Sequence, residues 1–399
     1  MSAGGRLLGR VLSARRRLPE NVRALGWVSF ANDLASELLY PILPLFLTVT
    51  LGAPVAVLGL IEGIAEGVAV GLRGVSGWLS DRIGGRRPWI VAGYAASALG
   101  RPLLATAPAW GWVLAARLVD RLGKAARTAP RDALIRDSTP DGLVGASFGY
   151  HRSLDTSGAV LGPLAAVGLL AAGLSLRQTL WVAVAPGVTA LVLLRRIREA
   201  RSRDPGAEAR ERVPLSALPR TFWIGLGIWV VFSLGNSSDV FLILRAHDLG
   251  LHATLVVLAY AAYNLVYAAL SWPLGALSDR LPRPAVLGAG LAVFALVYLG
   301  FALAPGAWAV WPLFAAYGVY VAATEGVARA WVADHAPAGA SGTAYGLFAA
   351  ATGGSLLAAS IAAGVLWSEV APAAPFVLGA CSATLAAVLM VASGFRPAR

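Results

Sequence analysis

The sequence predicts an all-α polytopic membrane protein, in which twelve transmembrane helices form two pseudo-symmetric six-helix bundles. Three observations carry this prediction. The 399 residues are 57% hydrophobic and only 14% charged, whereas a soluble domain carries about 25% charged residues. A charged run from Gly77 to Pro88 recurs in reduced form from Gly275 to Pro284. One long polar stretch, Arg198 to Pro219, divides the chain near its midpoint.

Twelve mainly apolar segments have the roughly 20-residue length that a membrane-spanning helix needs. They cover 23–49, 54–79, 88–106, 109–133, 143–172, 177–197, 220–244, 253–277, 284–304, 307–333, 342–367 and 371–394. The polar stretch separates six of these spans from the other six. We therefore expect an N-terminal segment (1–22), a first bundle (23–197), a linker (198–219) and a second bundle (220–399).

The two halves align over the thirty residues that precede each charged run, so that Leu51-Gly52 lies over Leu249-Gly250 without a gap. The same offset of 198 places Glu66 over Asn264, Arg127 over Glu325 and Arg131 over Arg329. Polar groups thus occur at equivalent depths in both halves. Internal repeats of this kind are typical of secondary transporters, whose sites lie between the repeats.

The net charge of +12 is distributed as a membrane protein requires. Arginines cluster before the first span, after Asp81, in the central linker and at the C-terminus, whereas the intervening turns at 50–54, 105–111 and 304–307 carry no charge. Positively charged loops stay on the cytoplasmic side. We therefore expect a multi-pass protein of the bacterial cytoplasmic (inner) membrane with both termini in the cytoplasm, in contact with the lipid bilayer and with no nucleic-acid partner.

The run Gly77-x3-Asp81-Arg82-x-Gly84-x-Arg86-Arg87 resembles the signature loop of the major facilitator superfamily (MFS), and Gly158 to Pro163 resembles the glycine–proline motif of its antiporter branches. The resemblance covers the whole chain and implies the MFS fold, with a monomer that moves a small-molecule or ion substrate by alternating access. Span 4 departs from the common pattern because it is far more charged. In this respect the chain resembles a group of bacterial permeases with no assigned substrate.

Ionisable residues inside spans are costly and are functional candidates by default. Carboxylates and one histidine are candidates for proton coupling, because a buried carboxylate or a histidine can exchange protons near neutral pH. They are Asp33 and Glu37 in span 1, Glu62 and Glu66 in span 2, and His151 and Asp155 in span 5. His151 and Asp155 lie four residues apart and are expected on one face of their helix.

A second set is expected to bind substrate. It consists of the basic stripe Arg117, Arg121, Lys124 and Arg127 in span 4, together with Asn236, Asp239, Asn264, Glu325 and Arg329 in the second half. The stripe favours an anionic solute by direct charge pairing. In the alternative, Asp33, Glu37, Asn236 and Asp239 on spans 1 and 7 bind a cation or even a metal through oxygen ligands. The sequence does not decide between an anionic solute and a cation.

A third set is expected to act as a conformational latch. It consists of Gly77, Asp81, Arg82 and Arg86, their repeat counterparts Asp279 and Arg280, and Gly158, Gly162 and Pro163 of the glycine–proline motif. The charged members lie at the membrane edge, where charge is cheap. Because the second copy of the run has lost a glycine and one arginine, Asp279 is expected to matter less than Asp81.

Other classes of protein fit less well. The chain has four histidines and one cysteine, and it contains neither an HExxH nor a GxSxG motif, so we expect neither an enzyme nor a resident metal or cofactor. A receptor or sensor without transport would be expected to carry a soluble output domain, and the longest polar stretch is too short for one. The sequence thus favours proton-coupled secondary transport of a small polar or charged solute, with export by antiport.

Overall fold

The computed structural model describes residues 18–40, 42–53, 55–83, 85–199, 215–337 and 339–393. Over these ranges the chain forms twelve helical rods, as predicted. They are α1 (Glu20–Leu39), α2 (Val55–Ile83), α3 (Arg87–Ala105), α4 (Trp110–Ser138), α5 (Val144–Ala171), α6 (Leu176–Val182 with Val184–Leu193), α7 (Arg220–Ser233 with Val240–Asp248), α8 (Ala253–Ser278), α9 (Arg283–Leu303), α10 (Val310–His335), α11 (Ser341–Glu369) and α12 (Ala374–Ala392). The predicted fold class is confirmed.

Two rods are broken over several residues where the sequence analysis predicted continuous spans, whereas α6 is interrupted only at Ala183. After α1 ends at Leu39, helix resumes as Leu43–Leu45 and widens into the π-turn Phe46–Thr50. The rod of α7 stops at Ser233 and restarts at Val240. The intervening Gly-Asn-Ser-Ser-Asp residues are poor helix formers that compete for backbone hydrogen bonds. With the offset of 198, the two breaks fall at corresponding positions of the repeat.

Each half packs mainly within itself. In the first half α1 lies against α5, and α4 lies against α3 and α2. In the second half α10 lies against α8 and α9, and α9 lies against α12. The halves meet where α5 packs along α8 and where α2 packs along α11. The domain boundaries proposed from the sequence stay a prediction.

One end of the structure carries the beginning of α1 and the beginning of the linker, and we call it the linker end. Glu199, the first acidic residue of the linker, accepts hydrogen bonds from the backbone N–H groups of Arg86 and Arg87 at 2.7 and 3.0 Å, where α3 begins. The linker end therefore also holds the C-terminal end of α2 and the charged run that follows it.

Seven helical segments of the described residues are long and apolar enough to cross a membrane. They are Glu20–Thr50, Val144–Ala171, Leu176–Arg196, Arg283–Leu303, Ala307–His335, Ser341–Glu369 and Ala374–Ala392. The charged helix α4 is not among them. It is 29 residues long, so its length suits a span but its composition does not. Its polar side chains must be satisfied by neighbouring helices.

Candidate functional site

A cluster of polar side chains lies between α1 and α5, midway along both helices. Asp155 of α5 accepts a hydrogen bond from Ser29 Oγ of α1 and another from Arg152 Nη1 at 2.8 Å. The carboxyl group of Asp33 lies beside that of Asp155. Asn32 Nδ2 donates to Asp33 at 3.2 Å. Two residues expected to couple protons, Asp33 and Asp155, therefore lie in direct contact.

Two glycines allow this contact. A Cβ atom at Gly158 would lie 2.6 Å from the carbonyl oxygen of Phe30, and one at Gly162 would lie 2.7 Å from the backbone nitrogen of Leu38. Only glycine permits so close an approach of two helix backbones. Both contacts are within one bundle, and α5 continues as a helix through Pro163. Gly158 and Gly162 thus seat α5 on α1 within one bundle, and the expected role of Gly158, Gly162 and Pro163 in a conformational latch stays a prediction.

The cluster continues across the bundle interface as a chain of charged groups. Arg152 Nη2 of α5 lies 3.2 Å from the Glu325 carboxylate of α10, and Arg329 Nη1 donates to Glu325 at 2.6 Å. Arg329 Nε also donates to Asp132 of α4 at 2.9 Å, and Asp132 pairs with Arg131 at 3.0 Å. The charge chain crosses between the bundles twice, through Arg152–Glu325 and through Arg329–Asp132.

His151 lies beside this chain and is only 1% exposed. Its Nε2 is buried and has no hydrogen-bond partner in the structure. Asp155 is engaged by Ser29, Arg152 and Asp33. The proton relay expected between His151 and Asp155 stays a prediction.

The basic stripe of α4 divides into two groups. Arg117 forms an ion pair with Asp120 at 3.7 Å, and the positive charges of Lys124, Arg121 and Arg117 act on the Glu37 carboxyl of α1. Arg117, Arg121 and Lys124 therefore form one group, which faces the acids of α1.

Arg127, at the other end of the stripe, has different surroundings. It is 4% exposed and lies between α3 and α4, where it donates to Ser97 Oγ at 2.6 Å and to the Gly93 carbonyl at 3.2 Å. Its guanidinium stacks over the Tyr94 ring at 4.4 Å. These contacts hold two helices of the same bundle together, and the expected role of Arg127 in substrate binding stays a prediction.

Arg101 of α3 is a residue that the sequence analysis missed. It is 3% exposed, and its Nη2 donates to the carbonyl and side-chain oxygens of Asn32 at 3.0 and 2.8 Å and to Ser36 Oγ at 3.2 Å. It therefore supports the face of α1 that carries Asp33 and Glu37. The sequence did contain a signal for it, because Arg101 is an ionisable residue inside the predicted span 88–106.

The second bundle holds a separate polar site at the break in α7. Asp239 Oδ1 accepts a hydrogen bond from the Tyr317 hydroxyl at 2.7 Å, and Oδ2 accepts one from the Tyr263 hydroxyl at 3.2 Å. Asn236 Nδ2 lies 3.5 Å from the Tyr320 hydroxyl. Asn264 is 7% exposed and donates to the Tyr260 carbonyl one turn earlier in its own helix, so it serves α8 rather than a ligand.

The structure does not gather the residues of the metal alternative. Within the described ranges no three histidine, cysteine, aspartate or glutamate side chains form a group that could hold a metal ion. Asp33 and Glu37 lie on the first bundle, and Asn236 and Asp239 lie on the second. The side chains of Glu62 and Glu66 lie outside the described part of the structure, so their predicted role in proton coupling stays a prediction.

At the linker end, Asp81 binds the first turn of α11 in the opposite bundle. Its carboxylate accepts hydrogen bonds from the backbone N–H groups of Gly342 and Thr343, the former at 3.1 Å, and from Thr343 Oγ1 at 2.7 Å. The N-terminus of a helix offers unpaired N–H donors and a positive dipole end. Arg86 binds Asp81 through its guanidinium and also reaches Ser80 Oγ at 3.0 Å.

The second copy of the run repeats this arrangement. Asp279 accepts hydrogen bonds from the backbone N–H groups of Gly145 and Ala146 at 2.7 and 2.8 Å, in the first turn of α5. Arg283 supplies the arginine, because it reaches Asp279 at 3.3 Å and Ser278 Oγ at 3.1 Å. The second copy thus keeps an arginine beside its aspartate, and the expectation that Asp279 matters less than Asp81 stays a prediction. We call the Asp81 and Asp279 sites the two latches.

Each latch has a further acid that the sequence analysis did not identify. Asp137 lies 3.4 Å from Arg86, and Asp334 is paired with Arg283. Burial raises the pKa of Asp279, and the N–H groups of Ala146 and Gly145 and the charge of Arg283 lower it by less. The donors thus offset part of the cost of burying this carboxylate.

Close backbone contacts surround both latches. A Cβ atom at Gly77 would lie 2.1 Å from the Gly342 carbonyl oxygen, and one at Gly275 would lie 2.3 Å from the Gly145 carbonyl oxygen. Arg82 is exposed and lies over the Trp78 ring of its own helix at 5.1 Å, and Arg280 is exposed as well. Arg82 and Arg280 are therefore not part of the latches, contrary to expectation.

The comparisons with known proteins agree with this architecture. The family model of the Major Facilitator Superfamily matches residues 25–244 and 232–399. An uncharacterized MFS-type transporter of Methanocaldococcus jannaschii is 34% identical over 383 residues, covering 94% of this chain and 95% of that protein. An uncharacterized protein of Mycobacterium tuberculosis is 32% identical over 320 residues, which is 77% of each chain.

Two solved structures show the same fold. The human organic anion transporter MFSD10 (TETRAN) has a TM-score of 0.77 and 17% identity, covering 93% of this chain and 99% of that one. The E. coli fucose:proton symporter FucP has a TM-score of 0.76 and 13% identity, covering 93% and 97%. At these low sequence identities the likeness concerns the fold alone.

Proposed function

This chain belongs to the major facilitator superfamily, whose members are membrane transporters rather than enzymes, and we propose that it is a proton-coupled secondary transporter. In this proposal two six-helix bundles rock about a central site and expose it to each side of the membrane in turn. The family match leaves no support for the alternative of a receptor or sensor without transport.

The contact between Asp33 and Asp155 carries the proposal of proton coupling. Two carboxylates side by side in a buried site repel each other when both are ionised, so the pair favours holding one proton. Such a pair takes up and releases a proton as a unit. Asp33 and Asp155 are therefore the proposed proton site.

The charge chain can couple protonation of the Asp33–Asp155 pair to the relative position of the two bundles. Arg152 lies between Asp155 in its own bundle and Glu325 in the other. A proton that joins or leaves the Asp33–Asp155 pair changes the negative charge beside Arg152. The strength of the Arg152–Glu325 bond, which exists only while the bundles are together at this depth, changes with it. Proton occupancy and bundle position are thereby linked.

The latches close the linker end in this structure. We propose that the linker end is cytoplasmic, because the arginine-rich segments lie there, and that the described conformation therefore faces outward. Asp81 and Asp279 hold it closed by binding the first turns of α11 and α5. Opening toward the cytoplasm then requires both carboxylates to leave their backbone donors.

We propose that the transported solute is small and charged and that it leaves the cell in exchange for protons. The direction is supported by the likeness of Gly158 to Pro163 to the motif of antiporter branches. In the first bundle, Lys124 and Arg121 on α4 and Glu37 on α1 supply charged groups for the central site. In the second bundle, Asp239 on α7 supplies an acidic group. Alternation between proton and solute gives antiport.

The proposal is tested with purified protein in liposomes on a solid-supported membrane. Phenyltrimethylammonium, tetraethylammonium, benzoate and phosphate are applied with and without a pH gradient, and the transported charge is recorded. We expect a solute-dependent current whose size follows the pH gradient. Asp33→Asn and Asp155→Asn should remove the dependence on pH, whereas Asp248→Asn, a change at an exposed carboxylate paired with Arg245, should keep it. Currents that ignore the pH gradient in the unaltered protein would refute proton coupling.

A further inference from the structure

We propose that the solute is an organic cation, whose positively charged nitrogen is bound by Asp239 and the tyrosines around it. This inference rests on the proposed function, since it names the solute class of that transporter. It also commits the site to the second bundle and to one charge, which the sequence left open.

Asp239 has no basic partner, in contrast to several other acids inside the bundles. Asp120, Asp132 and Asp155 each pair with an arginine. Asp239 instead accepts hydrogen bonds from the hydroxyls of Tyr317 and Tyr263, and no basic side chain of the described residues forms an ion pair with it. It is only partly exposed. A buried carboxylate is costly without a countercharge, and a cationic ligand would supply one.

Aromatic rings surround this carboxylate. The tyrosine cluster consists of Tyr260, Tyr263, Tyr317 and Tyr320 with Phe294. The ring centroids of Tyr260 and Tyr263 lie 5.0 Å apart, and those of Tyr263 and Tyr317 lie 5.3 Å apart. The Tyr320 centroid lies 5.2 Å from that of Tyr317 and 4.7 Å from that of Phe294. Aromatic faces attract ammonium groups, and cages of such rings recognise quaternary ammonium ligands. Carboxylate and rings together suit a substituted ammonium better than a bare ion.

The helix break adds an independent observation. Asp239 is the residue directly before the second part of α7, and α1 is broken at the corresponding place of the repeat. Interrupted helices in corresponding positions of two repeats mark binding sites in transporters. Beside the break, Asn236 Oδ1 is buried and accepts no hydrogen bond in the structure. It is an acceptor available for an N–H group of a bound ammonium.

The charges nearby argue against the other solute classes at this site. Glu325 is the charged group that acts on Asp239, and it is also an acid, so an anion would be repelled. Calcium takes six to eight oxygen ligands. Here two tyrosine hydroxyls already donate to the one carboxylate present, and the described residues hold no group of metal ligands. An organic cation therefore fits best.

Binding to purified protein at a single pH tests the inference without any gradient. Isothermal titration calorimetry is performed with phenyltrimethylammonium and tetraethylammonium, with benzoate and pivalate as anions of similar bulk, and with Mg²⁺ and Mn²⁺. We expect saturable binding of at least one of the two ammonium ions. Asp239→Asn should weaken it about tenfold or more, as expected for loss of a bond to a charged group. Asp248→Asn, the same change nine residues later on α7, should leave it unaltered.

Tyrosine variants provide a second readout if Asp239→Asn fails to fold. Tyr263→Phe keeps the ring and should retain most of the ammonium affinity, whereas Tyr263→Leu removes the ring and should lose clearly more. Equal affinities of these two variants would overturn the role of the ring. Absence of binding by both ammonium ions, binding by benzoate, pivalate or a metal ion alone, or ammonium binding indifferent to Asp239→Asn would overturn the proposed site.

The outcome is separable from that of the transport experiment. Asp239-dependent ammonium binding together with currents that ignore the pH gradient would leave the cation site standing and refute proton coupling. Proton-driven currents with benzoate or phosphate alone would keep the transporter and refute the cation.

Discussion

Replacing Gly77 by alanine should open the linker end. The glycine lies where α2 crosses the first turn of α11, and an added Cβ atom would lie 2.1 Å from the Gly342 carbonyl oxygen. Ordinary contacts begin at 3.4 Å, so the two backbones must separate by the difference, about 1.3 Å, unless the overlap is tolerated. Gly342 N–H donates to Asp81 at 3.1 Å, and the same separation would break that bond.

The size of the effect follows from two costs. An overpacked site costs about 1–3 kcal/mol, and a lost hydrogen bond to a charged group costs about 1.5–3 kcal/mol. The two lower bounds together reach about 2.5 kcal/mol, and each 1.4 kcal/mol changes an equilibrium tenfold. The population closed at the linker end should therefore fall more than tenfold relative to the open one.

The assay is a distance measurement by electron paramagnetic resonance between spin labels on Arg82→Cys and Arg280→Cys, in a Cys381→Ser background. Both positions are exposed, lie at the linker end of α2 and α8, and belong to different bundles. Gly74→Ala is the matched control, because its Cβ atom would meet Ala350 Cβ at an ordinary 3.5 Å in the same helix pair. We expect a longer distance to appear in Gly77→Ala and not in Gly74→Ala.

Identical distance distributions in Gly77→Ala and Gly74→Ala would refute the reasoning, provided that both proteins elute as folded monomers. That result would mean that the α2–α11 contact is not what holds the linker end closed. A longer distance in both would show instead that any added bulk separates the bundles, and the argument from the 2.1 Å contact would fail.

Two further predictions concern the latches and the topology. Asp81→Asn and Asp279→Asn should each lower the population closed at the linker end in the same spin-label assay, because each weakens a latch. Ammonium affinity should change less than about twofold, because both residues lie at the linker end, away from Asp239; a larger loss of affinity in either would assign that residue to the binding site. Ser202→Cys in a Cys381→Ala background should resist a membrane-impermeant thiol reagent added to intact cells, whereas Thr106→Cys, exposed at the opposite end, should react. Labelling of Ser202→Cys from outside would invert the topology.

The sequence predicted the fold because its signals are local. Apolar length, the repeated charged run and the polar midpoint each report on one stretch of chain, and the twelve helices follow from them. The contact of Asp33 with Asp155 was not predicted as a pair, although both residues were candidates. It depends on how closely α5 approaches α1, which Gly158 and Gly162 set through packing rather than through any spacing visible in the sequence.

Other features depend on what lies across an interface. Arg127 and Lys124 occupy the same basic stripe in the sequence, yet Arg127 turns into the α3–α4 contact. Arg283 was not recognised because the second run is two residues shorter: Arg283 follows Asp279 by four residues, whereas Arg86 follows Asp81 by five. The break in α7 was hidden because apolar segments on both sides of 234–239 fill a span-length window.

The unusual charge of α4 has a consequence for how this protein is made. A segment passes from the insertion machinery into lipid when its own transfer free energy is favourable, and a central arginine, lysine or aspartate opposes this by about 2.5–3.5 kcal/mol. The groups that satisfy the α4 charges lie on α1, α3 and α10. The α1 and α3 groups are synthesised before α4, whereas Arg329 on α10 emerges some 200 residues after Asp132. We therefore expect α4 to enter the membrane as part of an assembled group of helices, and Asp132 to lack its Arg329 partner until α10 has been synthesised.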